Sequence, residues 1–408
     1  MKILQLMNRF PWPLKDGGAL GYYNFTKGYH DAGCELTVLA FNTSKHYIEF
    51  EQLPEQVKSL ANFHLVPLDN QIKPLAALGN LLFSSQSYHV SRFISKDFDK
   101  ALTELLLNNE FDVVVFESIF MAPYLKTVQL NSQAKCILRA HNVEHEIWQR
   151  LAIKTANPFK QFYLQILAKR LQKFEMGCMN TFDALTFVTK TDALHFKQFG
   201  LHQPFHVAPT GIDTERLNPD QTKVISNTIL HIGSMDWMPN QEAVEWFIQE
   251  VWPSLKKQHP ELVFKIAGRN TPTRFFAFQG NGIEVLGEVD DAIELMQTAS
   301  LMVVPLFSGS GIRIKILEGM ALGKCIVSTQ LGYSGIDAQT GIHIHQAESA
   351  SNFVTVISNL LANPLLIKQT SVAARILIEE QYESKGVIQK LLNFYQSINI
   401  DKDGTYTV

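Results

Sequence analysis

Arg313, Lys315 and Glu318 follow a glycine-rich turn, Ser308-Gly309-Ser310-Gly311, in the stretch PLFSGSGIRIKILEGMALG from Pro305 to Gly323. Two cations and a carboxylate behind a turn that ends an apolar run are suited to holding an anion. Free backbone N–H groups and the positive end of a helix point at whatever fills such a turn. Lys315 can approach a ligand as a point charge and Arg313 as a fork, with the N–H groups of Gly311 and Ile312 at the helix start. Glu318 lies three residues past Lys315, on the same helical face, and an ionised carboxylate there only accepts hydrogen bonds. The pattern predicts a diphosphate site. On the local sequence alone, an ordinary strand-to-helix connection with a charged helix surface is the alternative.

The elements that must position these residues follow from apolar periodicity. Ser300 to Pro305 reads as a buried strand, the residues after Gly311 as a helix of about ten residues, and Gly323 as its closing residue. The same alternation runs through the chain. Met1 to Leu6 is an opening strand, Asn8 to Gly18 a loop, Leu20 to Ala32 a helix closed by Gly33, and Glu35 to Phe41 the next strand. Further strands are expected near Phe63 to Pro67, Val113 to Phe116, Cys136 to Arg139 and Leu185 to Val188. The pattern restarts at His206, with strands at Thr228 to Ile232, Val263 to Ala267, Ile283 to Leu286, Leu301 to Pro305 and Cys325 to Ser328. Two successive doubly wound α/β domains follow, with ligands expected beyond the carboxyl ends of the strands and in a central cleft.

Composition narrows the function classes. A chain of 408 residues exceeds a single core. Its 36 Lys and Arg against 39 Asp and Glu provide no bulk positive field for nucleic acid. Cys34, Cys136, Cys178 and Cys325 are widely spaced, indicating neither a disulfide framework nor a zinc site, and point to a reducing cytoplasm. The opening apolar run is too short for a signal peptide, and no run reaches the length of a membrane span.

Five segments, in order, resemble a retaining glycosyltransferase of the GT-B fold, of the family-4 or group 1 type. KILQLMNRFPWPLKDGGALGYYNFTKGYHDAGCELTVL resembles the family's opening strand, glycine loop and first helix, and RAHNVEHEIWQRLA its His-Asn-x-Glu segment. APTGIDTERL is similar to the entry to the second domain. HIGSMDWMPNQEAVEWF and LGEVDDAIELMQTASLMVVPLFSGSGIRIKILEGMALGKCIVST resemble the donor-binding half. The resemblance implies an acceptor-side Rossmann-like domain over 1–205, a nucleotide-sugar-binding domain over 206–384, and a last helix, 385–400, that crosses back to the first domain. The alternative is that this helix only caps the second.

The implied activity is transfer, with retention, of a sugar from a nucleoside-diphosphate-sugar to a hydroxyl of a glycan or glycolipid in bacterial-type polysaccharide synthesis. A non-catalytic GT-B binding module and a nucleotide-sugar epimerase are the alternatives. The resemblance assigns the departing diphosphate to Lys315 and Arg313, the ribose hydroxyls to Glu318, and a place near donor sugar and acceptor hydroxyl to His141, with Asn142 and Glu144 close behind. Glu144 either orients His141 or caps the following helix. Gly17 and Gly18 offer backbone N–H groups to the donor phosphate or acceptor, unless they form a plain turn.

The chain departs from the family at two places. Ser310 stands where the first glutamate of a Glu-x7-Glu pattern is usual, and the loop after Ile232, Gly233-Ser234-Met235-Asp236-Trp237-Met238-Pro239-Asn240, carries no cation. Gly233 still permits close backbone approach, Asn240 or Ser234 can donate hydrogen bonds, and Arg269 is a candidate helper near the base. No metal ligand set and no cofactor are expected. The segment Lys154 to Lys173 mixes Lys154, Lys160, Lys169, Arg170 and Lys173 with Phe159, Phe162 and Tyr163. It suits either an amphipathic core helix or the surface of an anionic inner membrane bearing a lipid-linked acceptor.

Overall fold

Short apolar runs alternating with helices build two parallel sheets, one in each of two units. The computed structural model describes residues 1–14, 17–71, 73–309 and 311–398. One unit comprises Met1–Gly211 with the chain from Val387 on, and the other Ile212–Gly386.

The first sheet contains β1 (Lys2–Met7), β2 (Glu35–Thr43), β3 (Asn62–Leu68), β4 (Val113–Glu117), β5 (Lys135–Ala140), β6 (Ala184–Phe187) and β7 (Phe205–Val207). The second contains β8 (Thr228–Ile232), β9 (Val263–Ala267), β10 (Ile283–Gly287), β11 (Leu301–Val304), β12 (Cys325–Ser328) and β13 (His345–Gln346). Their orders are β3-β2-β1-β4-β5-β6-β7 and β10-β9-β8-β11-β12-β13. The chain reverses its winding at β1/β4 in one sheet and β8/β11 in the other, which marks the carboxyl ends of those strands as binding crevices. Doubly wound domains are thus formed as expected. The two strands missed, β7 and β13, are edge strands of three and two residues, too short to carry a period.

Alternate residues of each strand enter separate cores. Leu4, Leu6, Val114, Phe116 and Leu138 fill one face of the first sheet, while Ile3, Met7, Val113, Val115 and Ile137 fill the other. In the second sheet Leu230, Met302 and Ile326 oppose Ile229, Val303 and Val327. The helices that bear on function are α1 (Gly17–Asp31), α2 (Glu144–Lys154), α3 (Pro158–Cys178), α4 (Met238–Trp246), α5 (Ile314–Ala321) and α6 (Ser384–Ile398). Gly33 and Gly323 close α1 and α5 at φ of 78° and 62°, values that glycine adopts without strain.

From Val387, α6 belongs to the first unit, where Val387, Ile388, Leu391, Leu392 and Tyr395 share a core with Phe25 and Tyr29 of α1. Gly28 makes that packing feasible, since a Cβ there would lie 2.4 Å from Ile388 Cγ1. Residues 399 and 400 of the segment expected to cross back lie outside the described residues. Among the described residues no single helix is long and apolar enough to cross a membrane. The bent pair Ala350–Ala362 and Pro364–Gln381, which meets the length and composition of a span only jointly, buries Phe353, Ile357 and Leu360 from one helix and Ala374, Leu377 and Ile378 from the other in the cores of the second unit.

Candidate functional site

In the second unit the loops after β8 and β11 bring the predicted anion ligands together. Glycine is required in the second loop, where Gly309 and Gly311 take φ of 105° and 82°. Those left-handed residues delay the helix: α5 begins at Ile314 with Arg313 as its cap, so Gly311 and Ile312 belong to the loop rather than to the helix start. Ile312 packs against the core. Ser310 lies outside the described residues.

Lys315, in the first turn of α5, sends Nζ to Asn240 Oδ1 at 2.8 Å and to His231 Nε2 at 3.4 Å. His231, buried in β8, donates from Nδ1 to the Val303 carbonyl at 3.0 Å, which leaves Nε2 as the acceptor facing the ammonium. Burial, and then the Lys315 charge, hold His231 well below the usual imidazole range, so it is neutral. Lys315 itself is pushed down to about 7, by burial first and by the nearby Arg313 second. An ammonium there is therefore met by two neutral acceptors and opposed by a neighbouring cation. Such a cage stabilises the charge poorly until an anion joins it.

The loop after β8 is shaped for this approach. A Cβ on Gly233 would lie 2.9 Å from Lys315 Nζ and 2.8 Å from Asn240 Nδ2, and one on Gly268 would lie 1.8 Å from the Gly233 carbonyl oxygen. Asn240, in the first turn of α4, donates to the Ser234 carbonyl at 2.8 Å, which fixes its Oδ1 toward Lys315. Ser234 Oγ bonds Asp236 and receives Arg269 Nη2 at 3.3 Å, so Arg269 sits beside the predicted loop. Arg313 is buried, donates to the Gly311 carbonyl and lies 5.4 Å from the Trp237 ring centroid. Ser308 donates to Glu242 at 2.7 Å. Glu318 forms no ion pair with Lys315 among the described residues. Burial pushes its carboxyl up to about 7, against the pull of Arg216.

In the first unit His141 follows β5, and its partner is Glu117 rather than Glu144. Nε2 lies 2.9 Å from Glu117 Oε2, and the ring meets Tyr22 edge-on with centroids 4.7 Å apart. Glu117 is fully buried at the carboxyl end of β4. Sheet register sets it opposite Arg139 of β5, which is 1% exposed and bonds it at 3.2 Å. Gln5 of β1 donates to its other oxygen at 2.8 Å. Burial works against the Glu117 charge, but Arg139 and the hydrogen bonds from His141 and Gln5 outweigh it and keep the group below the usual carboxylate range. His141 is held below the usual imidazole range by burial and by Arg139, against the pull of Glu117.

Glu144 opens α2. Its N–H, and that of His145, bond the buried Glu175 carboxylate at 3.0 and 3.2 Å. Burial and that neighbouring carboxylate push Glu144 up to about 7, while Asn142 Nδ2 reaches its Oε1 at 3.4 Å. Gly17 and Gly18 are the first two residues of α1 instead of loop, and both are exposed. The backbone N–H groups there have no partner within the helix itself.

Sequence reasoning missed Glu117, Arg139, His231 and Trp237. For the first three, charged or polar side chains at strand positions otherwise apolar were the available signal, since a buried charge must be paired; Trp237, in the loop after β8, carried none. Among the described residues no group of three or more His, Cys, Asp or Glu could hold a metal, and the four cysteines are free thiols.

Residues 16–216 match the model described as Glycosyltransferase Family 4, and residues 226–363 that described as Glycosyl transferases group 1. An uncharacterized 44.6 kDa protein in the cps region of Klebsiella pneumoniae is 25% identical over 301 residues, 71% of this chain and 76% of that protein. Anabaena HepE, solved in complex with UDP, superposes with a TM-score of 0.67 at 14% identity, covering 97% of this chain and 100% of that one. Sucrose-phosphate synthase from Thermosynechococcus elongatus gives a TM-score of 0.69 at 12% identity, covering 98% and 99%. With both halves matched in order and the fold shared, the chain belongs to the group 1 glycosyltransferases of the GT-B fold.

Proposed function

We propose that the protein transfers a sugar, with retention, from a nucleoside-diphosphate-sugar to a hydroxyl of a glycan or lipid-linked acceptor. The observation that carries this reading is Lys315, whose ammonium among the described residues is met by Asn240 and His231, beside the cation Arg313. A diphosphate supplies the missing negative charge, and it gains more as the glycosidic bond breaks, so these contacts favour the departing group. Glu318, one turn on, takes the ribose hydroxyls. His141 meets a hydroxyl of acceptor or donor sugar. HepE, crystallised with UDP, UDP and glucose, and UDP-glucose, supports this donor class, and the cps-region relative supports a role in polysaccharide synthesis.

The charge on the leaving group is assigned to protein cations, so turnover is expected to survive a chelator. The test is product analysis with a nucleotide-sugar panel and an added glycan or glycolipid acceptor. Transfer with the donor's anomeric configuration kept is the expected result. Isomerised donor, inverted product or no conversion contradicts it.

A membrane-borne acceptor is supported by α3, whose Leu164, Leu167, Ala168 and Leu171 enter the core while Phe159 and Phe162 stay 86% and 65% exposed beside exposed Lys160. Arg170, by contrast, is used inside the unit, donating to the carbonyls of Asn80 and Leu81. Vesicles containing anionic lipid should retain the protein, and Phe159→Ser with Phe162→Ser should release it. Equal retention of that variant removes this part of the reading.

A further inference from the structure

We infer that Glu117 is a positioning residue for the reaction, holding His141 in the tautomer that carries its proton on Nε2 and leaves Nδ1 as the acceptor for a substrate hydroxyl. Its kinetic part rests on the transferase reading; the tautomer does not.

The geometry leaves little freedom. Glu117 Oε2 receives Arg139 Nη1 at 3.2 Å and lies 2.9 Å from His141 Nε2, while Oε1 receives Gln5 Nε2 at 2.8 Å. A carboxylate in that position is acceptor only, so Nε2 must carry the proton. Gln5 is itself oriented, because Glu117 Oε1 only accepts and so must face the amide Nε2, which turns Gln5 Oε1 toward Thr26 Oγ1 at 3.0 Å. Among the described residues Nδ1 has no hydrogen-bond partner, and the ring is 17% exposed. The chain of contacts from Thr26 through Gln5 and Glu117 to His141 thus ends on an unpaired acceptor.

A purely structural purpose accounts poorly for this arrangement. Arg139 is 1% exposed and Glu117 0%, yet among the described residues Arg139 Nε and Nη2 have no hydrogen-bond partner, the guanidinium lying instead 3.2 Å from the Phe25 ring centroid. A buried pair with unmet donors contributes little stability, and apolar residues of similar volume would serve the sheet as well or better. What it provides is a fixed negative charge under one imidazole. Among the described residues, the charged and titratable groups around His141 are Glu117 of β4, Arg139 of β5, Arg9 of the loop after β1 and Tyr22 of α1.

The test begins with the full chain labelled with 15N-histidine, without nucleotide or acceptor, at neutral pH. His141 resonances are assigned by their loss in His141→Gln. The expected spectrum has a protonated Nε2 and an unprotonated, imine-type Nδ1. A protonated Nδ1 overturns the inference, whatever the activity of the protein, and whether or not Glu117→Gln folds. In folded Glu117→Gln, loss of the charge should lower kcat about 10- to 100-fold, keep the donor KM within about twofold, and move the acid limb of kcat to lower pH. A kcat and pH profile equal to wild type also overturn it.

Discussion

Replacing Lys315 by methionine separates a ligand-binding lysine from a structural one, because the two roles predict opposite changes in stability. The ammonium is buried against Asn240 and His231, and its affinity for protons is pushed down to about 7, so the folded protein binds this proton less tightly than the unfolded chain does. Stability contributed by this position therefore rises as pH increases from about 7 toward the ordinary lysine range, and at neutral pH the buried charge costs stability. Methionine keeps the stem and removes the charge, leaving Asn240 Oδ1 without its donor at a cost of about 1–3 kcal/mol. The cost of the buried charge is at least as large, so Tm at pH 7 should stay level or rise. Activity should move the other way. One charge-assisted hydrogen bond to the departing diphosphate is worth about 1.5–3 kcal/mol, or about 10- to 150-fold in kcat. Thermal unfolding and steady-state kinetics on the same preparation decide the matter. A variant that loses stability and keeps its kcat refutes the reasoning.

Glu318→Gln should flatten the acid limb of the affinity for a nucleoside diphosphate. The carboxyl, raised to about 7 by burial, makes charge-assisted bonds to the ribose hydroxyls only when ionised, so that gain is lost as pH falls through that value. Titrations at pH 6 and pH 8 check this. Gly268→Ala should destabilise the second unit by about 1–3 kcal/mol or prevent its folding, since the new Cβ meets the Gly233 carbonyl at 1.8 Å, a backbone atom that cannot step aside. Chemical denaturation measures it. Gly28→Val should unseat α6 from α1 through the contact with Ile388, exposing amides of Val387 to Tyr395 to hydrogen exchange and leaving α5 protected.

The chain's apolar runs made the two sheets legible, because parallel strands covered on both faces read as continuous hydrophobic segments with helices between them. Residues near strand ends, such as His141 and Gly233, could be placed for the same reason. The pairing of Arg139 with Glu117 could not. Each stands at the end of an ordinary apolar run, and their pairing depends on β4 lying beside β5 in register, which no local pattern specifies. His231 was hidden likewise, within a strand read only as apolar. The start of α5 was misplaced because the residues after Gly311 are good helix formers, while the positive φ of that glycine is a property of the folded loop.

The central claim is that Lys315 and Arg313 receive the donor diphosphate, and proton-linked binding tests it directly. Nucleoside diphosphates are titrated calorimetrically at pH 8 in buffers of different ionisation enthalpy. Lys315, pushed down to about 7, is then mostly neutral in the free protein and regains its proton when the anion binds. The account predicts uptake of about one proton with at least one base, affinity falling up to about tenfold per pH unit above pH 7, and no uptake in Lys315→Met. Binding without proton uptake, equal affinity in the variant, or no binding to any nucleoside diphosphate would contradict it.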